Sequence, residues 1–158
     1  MKKEDVGVEK VFMSDDYFAL LNLGDVSFSI DLALLEKNYI EIQRNSHPDR
    51  FFFIKDKESA VRHIAKVNKA YLVLKSPIAR AEYILAEKGV KLSAEDRKKI
   101  VEEVFDLDLT EAGVQEAVGE CWELVENAFA SGDMYAAAMQ VEKLKYLRGV
   151  ERGTKGCS

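Results

Sequence analysis

The sequence predicts an all-α protein. It contains only two prolines, Pro48 and Pro77, and the strand-like alternation of Val, Ile and Thr is nearly absent. Apolar residues recur instead at spacings of three and four, which place side chains on one face of a helix. We expect a helical hairpin with short flanking helices, followed by a three-helix bundle.

Composition limits the class of protein. A chain of 158 residues with 47% hydrophobic content forms one ordinary domain or two small ones. The net charge of -5 argues against general adhesion to nucleic acid or to an anionic membrane. Cys121 and Cys157 are too few for a disulfide framework or a thiolate metal site, and we find no signal peptide or membrane-spanning run. We therefore expect a cytoplasmic protein.

The first two helices are predicted from their caps and one apolar stripe. In "DDYFALLNL", Asp15 and Asp16 are candidate caps of a short helix that ends near Gly24. Ser29 or Asp31 can cap the second helix. The apolar face of that helix, which ends before Pro48, consists of Leu32, Leu35, Tyr39 and Ile42.

A long third helix is predicted over residues 57–75. Pro77 stops it, and "IARAEYILAEKG" forms a short helix closed by Gly89, a residue that tolerates left-handed dihedrals. The apolar stripe of the long helix consists of Ala60, Ile64, Val67, Tyr71 and Leu74.

The remainder of the chain is predicted to be a three-helix bundle. Ser93 is the expected cap of its first helix, and Gly132 with Asp133 makes the last two helices an antiparallel hairpin. The three helices are expected at residues 95–105, 111–130 and 133–149.

These patterns divide the chain near residue 90. The first domain is expected over residues 15–88 and the second over residues 91–150. The tail, residues 151–158, has no apolar periodicity and is expected to be disordered.

The stretch "RNSHPDRFF" between the second and third helices places His47, Pro48 and Asp49 side by side. His47 and Asp49, with His63, form the candidate site of a small metal-dependent or acid-base enzyme, but the proline between the first two and the lack of helical i, i+4 spacing argue against it. A recognition tip is the alternative, since two helices joined by a stiff turn project these side chains toward a partner. An ordinary surface loop is the third interpretation.

Three segments carry a family resemblance: "DYFALLNL", "HPDRF" and "VNKAYLVLKSPIARAEYIL". Together with the chain length, they resemble J-domain proteins of the HscB type, which belong to the DnaJ-like family and act as co-chaperones of bacterial iron-sulfur cluster assembly. The resemblance is closest over residues 15–88, which it identifies as a J-domain. With it, we expect an L-shaped or elongated molecule.

The resemblance implies that the J-domain docks on a DnaK-type chaperone, usually HscA, and stimulates its ATP hydrolysis. The catalysis then belongs to the partner, so this chain is not expected to be an enzyme. A general J-domain protein with other clients is the nearest alternative. The implied chaperone-binding residues are His47, Pro48 and Asp49, with Asp49 reaching an arginine of the chaperone, and the basic residues Lys37, Arg44 and Arg50.

The last helix carries apolar residues on two sides, Ala137, Val141 and Leu144 on one and Met139, Tyr146 and Val150 on the other. The resemblance implies that the C-terminal domain holds IscU, the scaffold on which iron-sulfur clusters are assembled. No cofactor is expected on this chain, because the cluster would remain on the scaffold. The candidate scaffold-binding residues are Ile100, Val101, Val104, Phe105 and Tyr146.

Overall fold

Helices form all of the regular structure in residues 15–155, the part of the chain that the computed structural model describes. No strand occurs in that part, so the predicted all-α class is confirmed. No helix in this part of the chain is both long enough and apolar enough to span a membrane. The helices are α1 (Tyr17–Leu20), α2 (Leu32–Asn45), a short 3-10 turn (Pro48–Arg50), α3 (Ile54–Lys75), α4 (Pro77–Glu87), α5 (Ala94–Phe105), α6 (Glu111–Ser131) and α7 (Met134–Lys155).

Aspartate caps begin the first two helices. Asp16 caps α1, because its carboxylate accepts a hydrogen bond from the Phe18 N–H at 3.0 Å. Asp31, and not Ser29, caps α2 by accepting from two backbone N–H groups at 2.9 and 3.2 Å. Each cap satisfies donors that would otherwise have no partner within the helix.

The long helix α3 is the centre of the first half of the molecule, since α1, α2 and the 3-10 turn all pack on it. Leu35 is the buried residue of α2, whereas Leu32, predicted on the same face, is exposed in the first turn. The predicted stripe of α3 is confirmed at Ala60, Val67 and Leu74. The core of this half contains Phe18, Leu20, Leu21, Phe28, Leu35, Ala60, Val67, Ala70, Leu74 and Ile78.

In the second half, α5 and α6 both pack on α7. Ser93 caps α5 through a capping box with Asp96, which also accepts a hydrogen bond from the Tyr135 hydroxyl at 2.6 Å. The bonds from Tyr135 and Ser93 lower the pKa of Asp96 to about 2. Gly132 ends α6 with a φ of 79°, as the predicted hairpin requires. The core includes Ile100, Val104, Val114, Cys121, Val125, Ala137, Val141, Leu144 and Leu147.

The described residues divide into two compact units, with the boundary between Arg80 and Ala81. The division falls inside α4, earlier than the predicted division near residue 90. The reason is that Ala81, Ile84 and Leu85 are buried, and Glu82 forms an ion pair with Lys145 of α7 at 2.8 Å. The second half of α4 therefore belongs to the C-terminal unit.

The last helix is longer than the sequence pattern predicts. It continues to Lys155, so residues 151–155 are helical and the prediction of a disordered tail is wrong for them. An established helix adds one hydrogen bond for each further residue, and Glu151 and Arg152 have good helix propensity. Residues 156–158 lie outside the described residues.

Candidate functional site

The candidate site is the 3-10 turn that follows α2. The Ser46 N–H donates to the Ile42 carbonyl at 2.9 Å and completes the end of the helix. The turn itself is closed by bonds from Arg50 N–H to the His47 carbonyl at 3.0 Å and from Phe51 N–H to the Pro48 carbonyl at 3.1 Å. Pro48 fits the first position of such a turn because its φ is fixed and its missing N–H is not needed there.

The imidazole of His47 supports the turn from the side. Its Nδ1 accepts a hydrogen bond from the Asp49 N–H at 3.2 Å, and a ring nitrogen that accepts carries no proton. The same Nδ1 lies 3.4 Å from the Asp49 Oδ2, so the ring of His47 lies beside the Asp49 carboxylate.

The side chains of the turn face solvent, as a recognition tip requires. The Asp49 side chain is 90% exposed and that of His47 is 59% exposed. Arg50 is exposed and Pro48 is half-buried. The side chains of His47 and Asp49 therefore project into solvent at the end of the helical hairpin, whereas Pro48 is only partly exposed.

His63, the third residue of the metal or acid-base alternative, has a different environment. It is 4% exposed on the buried face of α3, whereas His47 and Asp49 are in solvent. Within residues 15–155, no three His, Cys, Asp or Glu side chains are grouped so that they could hold a metal ion. The geometry thus favours the recognition tip over the metal or acid-base site.

Burial makes His63 a determinant of stability. Desolvation, with a contribution from the nearby charge of Lys66, lowers its pKa below the ordinary value of 6.5. The unfolded chain then binds the proton more readily than the folded chain, so stability is lost as the pH falls below about 6.5. Urea unfolding at pH 7.5 and 5.5 should show a smaller loss of stability for His63→Gln than for the unchanged protein. The same loss in both proteins would contradict this role of His63.

A cluster of polar and aromatic side chains joins α2 to α3. The rings of Tyr39 and Tyr71 stack with centroids 4.0 Å apart. The Asn68 Oδ1 accepts a hydrogen bond from the Tyr39 hydroxyl at 2.8 Å and another from the Gln43 amide. Asn68 thereby links α3 to α2. These contacts hold the two helices of the hairpin together.

The basic residues predicted to assist docking lie on the solvent side of α2. Lys37 and Arg44 are both exposed and stand seven residues apart, which is about two helical turns or 10 Å. Glu36 and Glu41 lie on the same helix and reduce its positive charge. Arg44 is in the last turn of α2, just before the 3-10 turn, whereas Lys37 lies near the middle of the helix.

Sequence reasoning missed an exposed apolar segment next to the turn. Phe52, Phe53 and Ile54 are 97%, 71% and 78% exposed. We call them the apolar cluster. A run of aromatic residues after a polar turn is usually assigned to the core. The signal against that assignment was their continuity, because four consecutive apolar residues, Phe51 to Ile54, do not share one helix face.

The predicted scaffold-binding residues divide into two groups. Ile100 and Val104 are 1% and 7% exposed and belong to the core, so their side chains are not available to a partner. Val101 is half-buried. Phe105 is 75% exposed and Tyr146 is 37% exposed. The accessible part of the predicted surface is therefore Val101, Phe105 and Tyr146.

Two contacts show how Phe105 and Tyr146 are placed. The Tyr135 hydroxyl bonds to Asp96, 39 residues away, and Lys143 bonds to Glu103, 40 residues away. The two contacting pairs are separated by nearly the same number of residues, so the position along α7 increases together with the position along α5. The two helices therefore run parallel. The same spacing sets Phe105 and Tyr146 at nearly the same level on the two helices.

No protein-family model matches the chain. It is 48% identical over 82 residues to the co-chaperone protein HscB homolog of Shewanella loihica, which covers 51% of this chain and 47% of that relative. It is 32% identical over 158 aligned positions to the homolog of Shewanella pealeana, which covers 84% of this chain and 90% of that relative. Among solved structures, chaperone HscB from Vibrio cholerae matches with a TM-score of 0.69 and 26% identity, covering 90% of this chain and 100% of that one.

Proposed function

This chain belongs to the HscB family of co-chaperones, and from that premise we propose that it stimulates ATP hydrolysis by a DnaK-type chaperone, HscA, and delivers the scaffold protein IscU to it. The observation that carries the proposal is the solvent-exposed turn of His47, Pro48 and Asp49 at the end of a packed helical hairpin. Residues 15–88 act as the J-domain, and residues 91–150 hold the scaffold.

Asp49 is the central contact of the chaperone-binding site. An ionised carboxylate only accepts hydrogen bonds, and a guanidinium presents two donors that match its two oxygens. Because the Asp49 side chain is 90% exposed in the free protein, an arginine of the chaperone reaches it without rearrangement of the turn. Such charge-assisted pairs are among the stronger polar contacts at an interface.

His47 and Pro48 prepare this contact. The ring of His47 holds the turn through the Asp49 N–H, and Pro48 restricts its backbone. A turn that already has its bound conformation loses little conformational entropy when the chaperone binds. These two residues therefore act by positioning Asp49.

Lys37, Arg44 and Arg50 assist the encounter with the chaperone. Exposed charges at the rim of an interface raise the association rate more than they slow dissociation, and salt screens them. We expect Lys37→Gln with Arg44→Gln to lower the association rate several-fold at low ionic strength and hardly at all in 1 M salt. Stopped-flow binding to the chaperone measures this.

The matched control for that variant is Lys91→Gln with Arg148→Gln, which removes the same charge from exposed positions in the C-terminal unit and outside residues 15–88. Equal effects of the two double variants would mean that only the net charge matters. An unchanged association rate for the first would remove Lys37 and Arg44 from the site.

The scaffold contact is assigned to Val101, Phe105 and Tyr146. Exposed aromatic residues at one level of two packed helices give a partner a small apolar surface, and aromatic residues often dominate the binding energy of an interface. One molecule that holds the scaffold with one unit and the chaperone with the other raises the local concentration of each for the other.

The proposal is tested by adding the purified protein to the chaperone and measuring ATP turnover and scaffold binding separately. We expect both to be positive. A general J-domain protein with other clients would stimulate the chaperone but fail to bind the scaffold, and absence of stimulation would refute the proposal altogether.

A further inference from the structure

The apolar cluster of Phe52, Phe53 and Ile54 is not explained by the fold. These side chains are 97%, 71% and 78% exposed and stand next to each other in the chain. Exposed apolar residues that are scattered singly are ordinary, whereas a contiguous group commonly marks a surface that another molecule covers. The cluster therefore contributes little to the core of the free protein.

The start of α3 does not explain the cluster either. Phe53 is the N-cap of α3 and makes no side-chain hydrogen bond to the helix. Serine, threonine, aspartate and asparagine are the residues that stabilise this position, as Asp31 does for α2. A phenylalanine at the N-cap leaves the first backbone N–H groups of the helix to solvent. Phe53 is therefore not explained by a contribution to the stability of α3.

The cluster is continuous with the turn. The bond from Phe51 N–H to the Pro48 carbonyl leads the chain directly from the turn to Phe52, which follows Asp49 by three residues. Three residues of extended chain span at most about 11 Å. A folded partner that contacts the Asp49 carboxylate therefore lies within reach of the cluster.

The charge around the cluster is the opposite of the charge of the whole chain. Residues 44–57 contain four basic and two acidic side chains, while the chain has a net charge of -5. An apolar segment with a basic surround fits an apolar depression with acidic residues at its rim. The basic residues are Arg44, Arg50, Lys55 and Lys57, and the acidic ones are Asp49 and Asp56.

We propose that the apolar cluster is a second contact with the ATP-hydrolysing chaperone, which receives Phe52, Phe53 and Ile54 in an acidic-rimmed apolar depression beside the group that binds Asp49. This proposal rests on the proposed function. The two contacts differ in their effect: stimulation requires the Asp49 contact, which also contributes affinity, whereas the cluster contributes affinity alone. Removing the cluster then weakens binding and spares the maximal stimulation.

The test is the dose dependence of chaperone ATP hydrolysis for Phe52→Ser with Phe53→Ser. Two exposed phenylalanines are lost, and the serine hydroxyl introduced in place of Phe53 supplies an N-cap, so α3 keeps its stability. We expect the concentration for half-maximal stimulation to rise about tenfold or more, with the same maximal rate. The single variant Phe52→Ser should move it in the same direction, and thermal unfolding of both variants should match the unchanged protein.

The matched control is Leu72→Gln, which removes an exposed apolar side chain from the same helix. Its position is about 27 Å from Ile54 along α3, and it should leave the dose dependence unchanged. An equal loss in the control and in Phe52→Ser with Phe53→Ser would overturn the assignment, because apolar surface in general would then be responsible.

The remaining outcomes separate this proposal from the one it rests on. If the unchanged protein stimulates the chaperone and Phe52→Ser with Phe53→Ser shows the same dose dependence, only the second contact is overturned. If the unchanged protein does not stimulate, both proposals fall. Sedimentation with anionic phospholipid vesicles and sedimentation velocity of the protein alone identify a membrane or a second copy as the occupant, and cluster-dependent binding to either with an unchanged dose dependence would overturn the proposal.

Discussion

Replacing Asp49 with asparagine should abolish stimulation of the chaperone while the protein stays folded. Truncating one partner of a charge pair at an interface costs roughly 2–5 kcal/mol, a factor of about 30 or more in affinity. The Asp49 side chain is 90% exposed, so its substitution should change the free energy of unfolding by no more than about 0.5 kcal/mol. Steady-state ATP turnover and thermal unfolding measure the two quantities on the same samples.

Asp25→Asn is the matched control, since Asp25 is an exposed aspartate of the same unit outside the turn. It makes the same change in charge and should stimulate normally. Stimulation by Asp49→Asn at the level of this control would remove Asp49 from the proposed site.

Phe105→Ala combined with Tyr146→Ala should weaken scaffold binding strongly. Buried aromatic contacts at the centre of an interface contribute about 1 kcal/mol or more each, so the double variant should lose at least about thirtyfold in affinity. Stimulation of the chaperone in the absence of scaffold should be unchanged, because the substituted residues lie in the other unit. Isothermal titration with the scaffold measures the affinity.

Leu109→Ala with Leu124→Ala serves as the comparison, since both leucines are exposed in the same unit. It should bind the scaffold normally. Normal binding by the Phe105 and Tyr146 variant would refute the assigned surface, and a large loss of stability in that variant would show that the two side chains support the fold instead.

Much of the fold could be predicted from the sequence because local signals and packing agree. Asp31 and Ser93 occur where a helix needs a cap, and both serve as caps. Gly132 occurs where the chain must reverse, and its φ of 79° is one that glycine adopts readily. The first residue of α3 was predicted three positions too late, at 57 instead of Ile54. Its N-cap, Phe53, is not of a type from which an N-cap can be predicted.

Burial on a two-sided helix was harder to predict. In α5, Ile100 with Val104 and Val101 with Phe105 form two apolar stripes of similar quality. Only the packing of α5 on α7 decides that the first is buried, and that contact joins residues about 40 positions apart. Periodicity identifies the stripes of one helix and does not show which stripe its neighbour covers.

The turn shows the same contrast. The exposure of His47 and Asp49 could be predicted, because a proline between two amphipathic helices marks a short surface connection. The hydrogen bond from the Asp49 N–H to the His47 ring could not, since it depends on the side-chain rotamer. The continuity of Phe51 to Ile54 indicates that these four residues do not share one buried helix face, but it does not show which of them remain exposed.

The decisive experiment measures ATP hydrolysis by the chaperone with this protein and the scaffold added separately and together. If one molecule joins the two partners, the rate with both present should exceed the sum of the separate effects, and Asp49→Asn should eliminate the excess. Additive rates, or an excess that persists in Asp49→Asn, would contradict the claim that the exposed turn couples scaffold capture to ATP turnover.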